Sequence, residues 1–367
     1  MKSYCKGLLI DRNIVSDAYK LWRENESGKK NSWRVYKEYG SEYALIDEIY
    51  NEIRDRELRF RPLKKSTRID PSNGKEREIA VASIKQQVCD YVCVFCMQDF
   101  LKARMGFYQT ANEKGKGLEM CRNTIREWSK EDAYFIKADI RKCYPSIKTT
   151  LVLDILYKYI KSNDVLYVCQ VILNTYDGGL EIGSYFSLKM AQLVLSFPYH
   201  LIEDLHKDRR GVRKMLVTHQ IWHMDDMIII SRDKRDLKMA MRKLERYVKE
   251  ELGLEFKPWK VSRISRDEPL DIGGWRAFDG HVTIRRNLFL RAMRAFRRFN
   301  RHPSVKRAHR VISYWGWLKH GDCYEVIENM HMEDTFNNAR NMVSAHQRMM
   351  NKKKAAANDK NAVSNAA

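Results

Sequence analysis

The run QIWHMDDMIIIS, residues 220–231, narrows what this chain can fold into more than any other feature. Two short stretches rich in β-branched and aromatic residues flank a pair of adjacent aspartates, Asp225 and Asp226. Such stretches read as strands, and so tight a connection makes them a hairpin with two carboxylates at its tip. Aspartate is also an ordinary turn residue, and a lone Asp-Asp at a hairpin is more often structural. Carboxylates at the end of an apolar sheet are costly to bury unless a cation neutralises them.

A third carboxylate sharpens this pattern. DAYFIKADI, residues 132–140, has strand composition and places Asp139 near its end. Carboxylates on adjacent rigid strands suit nucleotidyl transfer, which needs two divalent ions about 3.5–4 Å apart and little covalent help from the protein. Magnesium takes hard oxygen ligands and keeps waters or phosphate oxygens, so two or three clustered carboxylates suffice.

Charge points the same way. Lys plus Arg number 68 against 47 Asp plus Glu, a net charge of +21 spread along the chain rather than gathered in a tail. That excess attracts polyanions and favours a lined channel over a tethering arm. The N-terminus lacks the apolar core of about 7–15 residues that marks a signal peptide. No apolar run approaches the roughly 20 residues that span a bilayer. A cytoplasmic protein without membrane partners is the expectation. Cys89, Cys93 and Cys96 share one helical face with Val88, Val92 and Phe95. They read as core packing, because no second Cys/His pair completes a tetrahedral zinc set.

Along the chain, residues 1–54 read as a helical extension with Tyr43, Ile46, Ile49, Tyr50 and Ile53 at helical intervals. A basic hairpin follows, with Pro71-Ser72-Asn73-Gly74 as its turn. Helices are expected over 84–104, to about Lys130, and over 151–173. The chain breaks at Gly178-Gly179 and Gly183, and a long apolar helix then runs through Leu205. A charged amphipathic helix covers 233–252, IGGWRAF and HVTIRR form a further hairpin, and basic helices begin at Asn287. The composition after Met350 is that of a disordered tail.

Taken in order, these segments resemble the motifs of reverse transcriptases. FIKADIRKCYPSI looks like motif A, GLEIGSYFSLKMAQLVLS like motif B, and IWHMDDMIIIS like motif C. ELGLEFKPWKVSRI is similar to motif D, IGGWRAF to motif E, and the basic hairpin to the fingers motif. The match runs from about residue 58 to about 280. Each motif alone is weak, whereas their order is specific.

The resemblance implies an α+β right-hand polymerase fold, with fingers and antiparallel-sheet palm over 55–285, a helical basic thumb over 286–350 and a disordered tail over 351–367. It implies RNA-directed DNA synthesis with two Mg²⁺ ions, for which Mn²⁺ can substitute, held by Asp139, Ile140, Asp225 and Asp226. Lys260 matches the motif D lysine that serves the pyrophosphate. Arg77 matches the fingers arginine on the triphosphate. The expected fingers lysine is missing, and Lys65 or Arg68 stands in for it. Tyr144 matches the aromatic that stacks under the incoming sugar and selects deoxynucleotides. Gly183 lets the chain pass close to the nascent pair. Arg291, Arg294 and Arg298 would track the duplex backbone.

Departures from the pattern are informative. Ile182 stands where most members carry Gln before the motif B glycine, Leu188 and Lys189 follow Ser187 where Gln is commoner, and His223 precedes Met224 where an aromatic is usual. Ile-Gly-Ser followed by Ser187, together with ISYWGWLKHGDCYEV, resembles the enzymes of diversity-generating retroelements. Those bacterial or phage-encoded enzymes copy a template-repeat RNA into adenine-mutagenised cDNA, with a small basic accessory variability protein. Template RNA, RNA/DNA duplex and dNTPs are the implied ligands. Too little chain follows the thumb for an RNase H or HNH domain. The rival readings are an antiphage-defence or group II-like reverse transcriptase, and a catalytically silent RNA-binding relative.

Overall fold

The computed structural model describes residues 2–69, 74, 76–113 and 115–364. Pro71, Ser72 and Asn73, assigned above to the hairpin turn, lie outside them. The chain divides into two compact units, the first comprising Met1–Gly117 and Ala133–Arg263, the second Leu118–Asp132 and Ile264–Ala367.

The first unit opens with α1 (Arg12–Glu24), α2 (Glu26–Tyr39) and α3 (Glu42–Arg54). Ile46, Ile49 and Ile53 of α3 are buried as their spacing predicts, while Tyr43 on the same helix is exposed. The antiparallel hairpin β1 (Lys64–Ile69) and β2 (Glu76–Val81) follows, then α4 (Ile84–Cys96) and α5 (Gln98–Arg104). One helix was expected over 84–104. Met97 leaves helical geometry and splits it, with no Gly or Pro to signal the break. Cys89 and Cys93 are buried in the core.

After α6 (Gly117–Trp128), β3 (Tyr134–Asp139) leads to α7 (Cys143–Ser146), α8 (Thr149–Tyr159), α9 (Asn163–Leu173) and α10 (Tyr185–Asp204). The helix expected over 151–173 is likewise two, because Ser162 caps α9 by accepting from Val165 N at 3.2 Å. A hairpin that sequence reading missed, β4 (His206–Arg209) and β5 (Val212–Met215), turns at Arg210 and Gly211, both with positive φ. Arg-Gly is a weaker turn signal than Asn-Gly, which hid it. Then come β6 (His219–His223), β7 (Asp226–Ser231), α11 (Lys234–Leu252) and β8 (Val261–Arg263).

β6, β7, β3 and β8 form one antiparallel sheet in that order. Its centre is apolar on both faces: Ile136 and Met227 to Ile230 have no exposed surface. Helix α11 packs on β3, β7 and β8, and α10 packs on α4, α5 and α11. Gln220 of β6 donates to the Tyr199 carbonyl of α10 at 3.0 Å, tying the sheet edge to that helix.

In the second unit β11 (His281–Ile284), β10 (Trp275–Phe278) and β9 (Leu270–Ile272) form a three-stranded sheet. Helix α6 joins this unit through Ser129, which accepts from Asp279 N and Gly280 N at the β10–β11 turn. Helices α12 (Arg286–Arg301), α13 (Val305–Leu318), α14 (Tyr324–Asn329) and α15 (Met332–Ser364) complete it. The described backbone of α15 is helical to Ser364, within the segment that composition assigned to a disordered tail. Its alanines and lysines are good helix formers. Among the described residues no helix is long and apolar enough to cross a membrane.

One buried carboxyl group braces the first unit. Asp90 of α4 is 2% exposed and accepts from Ser184 Oγ at 2.8 Å and Phe186 N at 3.4 Å. Burial pushes its carboxyl from the ordinary value near 3.8 up to about 7, against the pull of these hydrogen bonds. Between those values the folded protein holds a proton that the unfolded chain releases. Stability from this group is therefore complete below about pH 4, falls as pH rises, and levels off above about pH 7. Asp90→Asn should flatten the pH dependence of stability over that window, measured by urea unfolding; an unchanged slope would exclude Asp90 as its source.

Candidate active site

The pairing of β3 with β7 sets Asp139 directly opposite Asp226, and the pairing of β6 with β7 sets His223 opposite Asp226. Met224 and Asp225 form the two-residue turn. Met224 has a φ of 57°, a left-handed conformation that hairpin turns usually give to Gly, Asn or Asp. Strain of this kind costs on the order of 1–3 kcal/mol and persists where the surroundings over-determine it. They do so here: Trp222 is buried, its N–H donates to Tyr108 O, and its carbonyl accepts from both Thr110 N and Thr110 Oγ1. Because Thr110 Oγ1 donates there, His223 Nδ1 at 2.9 Å donates to it. Burial lowers the His223 pKa.

Beyond β3 the chain stays in the sheet. Arg141 N donates to Glu255 O at 2.8 Å and Lys257 N to Asp139 O at 2.9 Å, bridging Ile140 to Phe256 without using the Ile140 carbonyl. Pro258, which has no N–H, separates this bridge from β8. The bridge brings Lys257 Nζ to 2.6 Å from Asp139 Oδ1, while Lys137 Nζ lies 3.5 Å from Asp226 Oδ1. Sequence reading singled out Lys260, which is exposed. The lysine on Asp139 is Lys257, and only the Ile140–Phe256 bridge reveals it.

The Asp225 carboxylate is electrostatically strained. Burial first, then the like charge of Asp139 and, less strongly, Asp226, push the Asp225 carboxyl above its ordinary value, with Lys257 among the opposing influences. Relief of that repulsion is what a divalent cation offers. Among the described residues no three His, Cys, Asp or Glu side chains gather into a set that would hold an ion unaided. The donor chemistry fits an ion held by one or two aspartates and completed by substrate phosphates.

Tyr144 sits on the short helix α7, which follows Lys142 in a left-handed conformation. Its phenol is raised above its ordinary value by burial, with smaller contributions from Cys143 and Asp225, so it lies within electrostatic reach of the turn. The Tyr144 carbonyl accepts from Leu180 N at 3.1 Å, and Lys148 bridges Gly179. A Cβ at Gly179 would lie 2.3 Å from Pro145 O, so only glycine permits this approach.

The same loop continues to Ile182 and Gly183. Ala80 N of β2 donates to Ile182 O at 2.9 Å, and Gly183 has a φ of 114°. Ser184 caps α10 and donates to Asp90, while Tyr176 donates to Ser184 at 2.9 Å. Asp90 was missed from sequence, although a lone charge in the apolar run VCDYVCV is a signal that could have found it.

Arg68 and Arg77 are exposed cross-strand partners on β1 and β2. Arg68 lines a pocket of about 330 Å³ with Ala80, Tyr91, Gly183 and Tyr185. Lys65 is held by carboxylates, at 2.5 Å from Asp177, 3.0 Å from Glu78 and 3.4 Å from Glu181. Arg294 and Arg298 of α12 are exposed, and Arg291 on the same helix donates to its own backbone at Asn287. They belong to the second unit, opposite a buried stripe of Ala292, Met293, Phe296 and Phe299.

Residues 63–277 match the profile of the family described as reverse transcriptase (RNA-dependent DNA polymerase). Comparison with curated proteins gives no match.

Gly183→Ala would place a Cβ 2.6 Å from Ala80 O in a backbone conformation that side chains rarely adopt. The expected cost is about 1–3 kcal/mol of stability. A melt in which the variant unfolds at the wild-type temperature would show that the loop is not tied to β2 in this way.

Proposed function

Because the chain belongs to the reverse transcriptase (RNA-dependent DNA polymerase) family, we propose that this RNA-directed DNA polymerase copies a template-repeat RNA into adenine-mutagenised cDNA, as the enzyme of a diversity-generating retroelement. RNA template and dNTPs are the family's substrates. Residues 55–285 serve as fingers and palm, and 286–350 as thumb.

The observation that carries the retroelement reading is Ile182. It occupies the position before Gly183, on a loop bonded to β2 through its own carbonyl. An aliphatic side chain there offers no amide to template or nucleotide. A site without a hydrogen bond to one base discriminates less between bases. The mutagenic copying of this group follows from that loss.

Asp139 and Asp225, with Asp226 and the Ile140 carbonyl beside them, would hold magnesium, which when bound activates the primer hydroxyl and holds the leaving pyrophosphate. Other roles fall to the chain's own groups. Tyr144 underlies the incoming sugar and excludes a 2′-hydroxyl. Arg77, helped by Arg68 and Lys65, grips the triphosphate with charge-assisted contacts. Lys260 serves the pyrophosphate, and Lys257 holds Asp139 in place until substrate arrives. Arg291, Arg294 and Arg298 track the duplex backbone. A basic accessory variability protein is the expected partner.

Primer extension on RNA with dNTPs should require Mg²⁺ and fall by more than about a thousandfold in Asp225→Ala, the scale of losing a group on which the transition state depends. Comparable synthesis by that variant would refute the carboxylate assignment. The wild-type cDNA should carry substitutions concentrated at template adenines, and Ile182→Gln should reduce them. Faithful copying by the wild type would remove the retroelement reading and leave the polymerase intact.

A further inference from the structure

Helix α11 presents two unlike faces. Leu237, Ala240, Met241, Leu244, Val248 and Leu252 are buried, and the helix packs on β3, β7 and β8. The face turned away from the sheet carries Arg235, Lys238, Arg242, Lys243 and Arg246, all exposed. Arg235, Lys238, Arg242 and Arg246 follow one another at three or four residues, with Lys243 three before Arg246, so they share one stripe, and with Met239 they line a shallow groove of about 510 Å³. From Arg235 to Arg246 the stripe runs about 16 Å along the helix axis.

None of the five cations makes an ion pair among the described residues. Asp236, beside Arg235, is spent elsewhere: it is buried and takes Lys207 at 2.5 Å and Lys214 at 3.2 Å. Those two bonds fasten the β4–β5 hairpin to the first turn of α11. The hairpin adds exposed Arg209, Arg210 and Arg213 at the same end of the helix.

We propose that this stripe is a second nucleic-acid site, which holds a duplex region of the structured RNA carrying the template while the copied strand occupies the active site. The inference rests on membership of the polymerase family and not on the retroelement reading. A row of unpaired cations matches a phosphate backbone, whose contacts position RNA without reading its sequence. A membrane surface is disfavoured, because a helix that lies on lipid inserts its apolar face, and that of α11 is buried. A protein partner would be expected to find an apolar or aromatic anchor, and only Met239 interrupts the charges.

The test uses the full chain with its active site saturated by an unlabelled primer–template. A labelled blunt RNA duplex of about 16 base pairs, the length a shape-reading domain spans, is then titrated over a range of salt. The wild type should still bind it. Replacing Arg235, Lys238, Arg242, Lys243 and Arg246 by Gln should weaken binding at least tenfold and flatten the log–log salt dependence by about 3.5–4.5. Extension of a short primer–template should be unchanged, which shows the variant folded. Should the five-fold variant fail to fold, Arg235→Gln and Arg246→Gln singly should each lower the slope by about 0.7–0.9. Unchanged affinity and slope would overturn the proposal. So would vesicles of phosphatidylserine and phosphatidylcholine that bind the wild type more tightly than the variant while duplex binding stays the same.

Discussion

The antiparallel pairing of β3 with β7 is the constraint on which the remainder of the site depends. Its register sets Asp139 against Asp226 and leaves Asp225 in the turn. Side chains alternate across a sheet, so a slip of one residue would turn every side chain of one strand to the opposite face and break the opposition of Asp139 and Asp226. The fully buried run Met227 to Ile230 makes that slip costly. Core packing therefore fixes the register, and the register brings together three carboxylates that repel one another. Lys257 and Lys137 offset part of the repulsion.

Backbone bonds from segments distant in sequence hold the ends of this sheet. Residues 255–257 extend it beyond β3, and residues 108–110 dock on Trp222. The loop from Gly178 to Ser187 is fastened on three sides: to Tyr144 and Lys148 after β3, to Ala80 on β2, and to buried Asp90. The glycines at 179 and 183 are needed because backbone, rather than side chain, is the neighbour there. A loop held in this way presents residue 182 at a fixed place, and the chemistry of that one side chain then matters.

Much of this was legible before the structure. The Asp-Asp hairpin, the strand ending at Asp139, the amphipathic helix after Ser231 and the basic hairpin all follow from short-range periodicity and turn chemistry. The breaks at Met97 and near Ser162 were not, since apolar spacing runs through both. Nor was the β4–β5 hairpin, whose exposed, charged strands have no apolar alternation to reveal them. That Leu118–Asp132 joins the second unit is marked by no shift in composition.

The family and the three carboxylates were determined by sequence alone, because ordered motifs and local strand patterns are written in residues close together along the chain. The cation at Asp139 was decided by the tertiary structure: a bridge between residues 140 and 256 places Lys257 there. The fastening of Ile182 to β2 and the capture of Asp236 by the β4–β5 hairpin are of the same kind. Each depends on which distant segments meet, and pairing between remote strands leaves no periodic trace in a sequence.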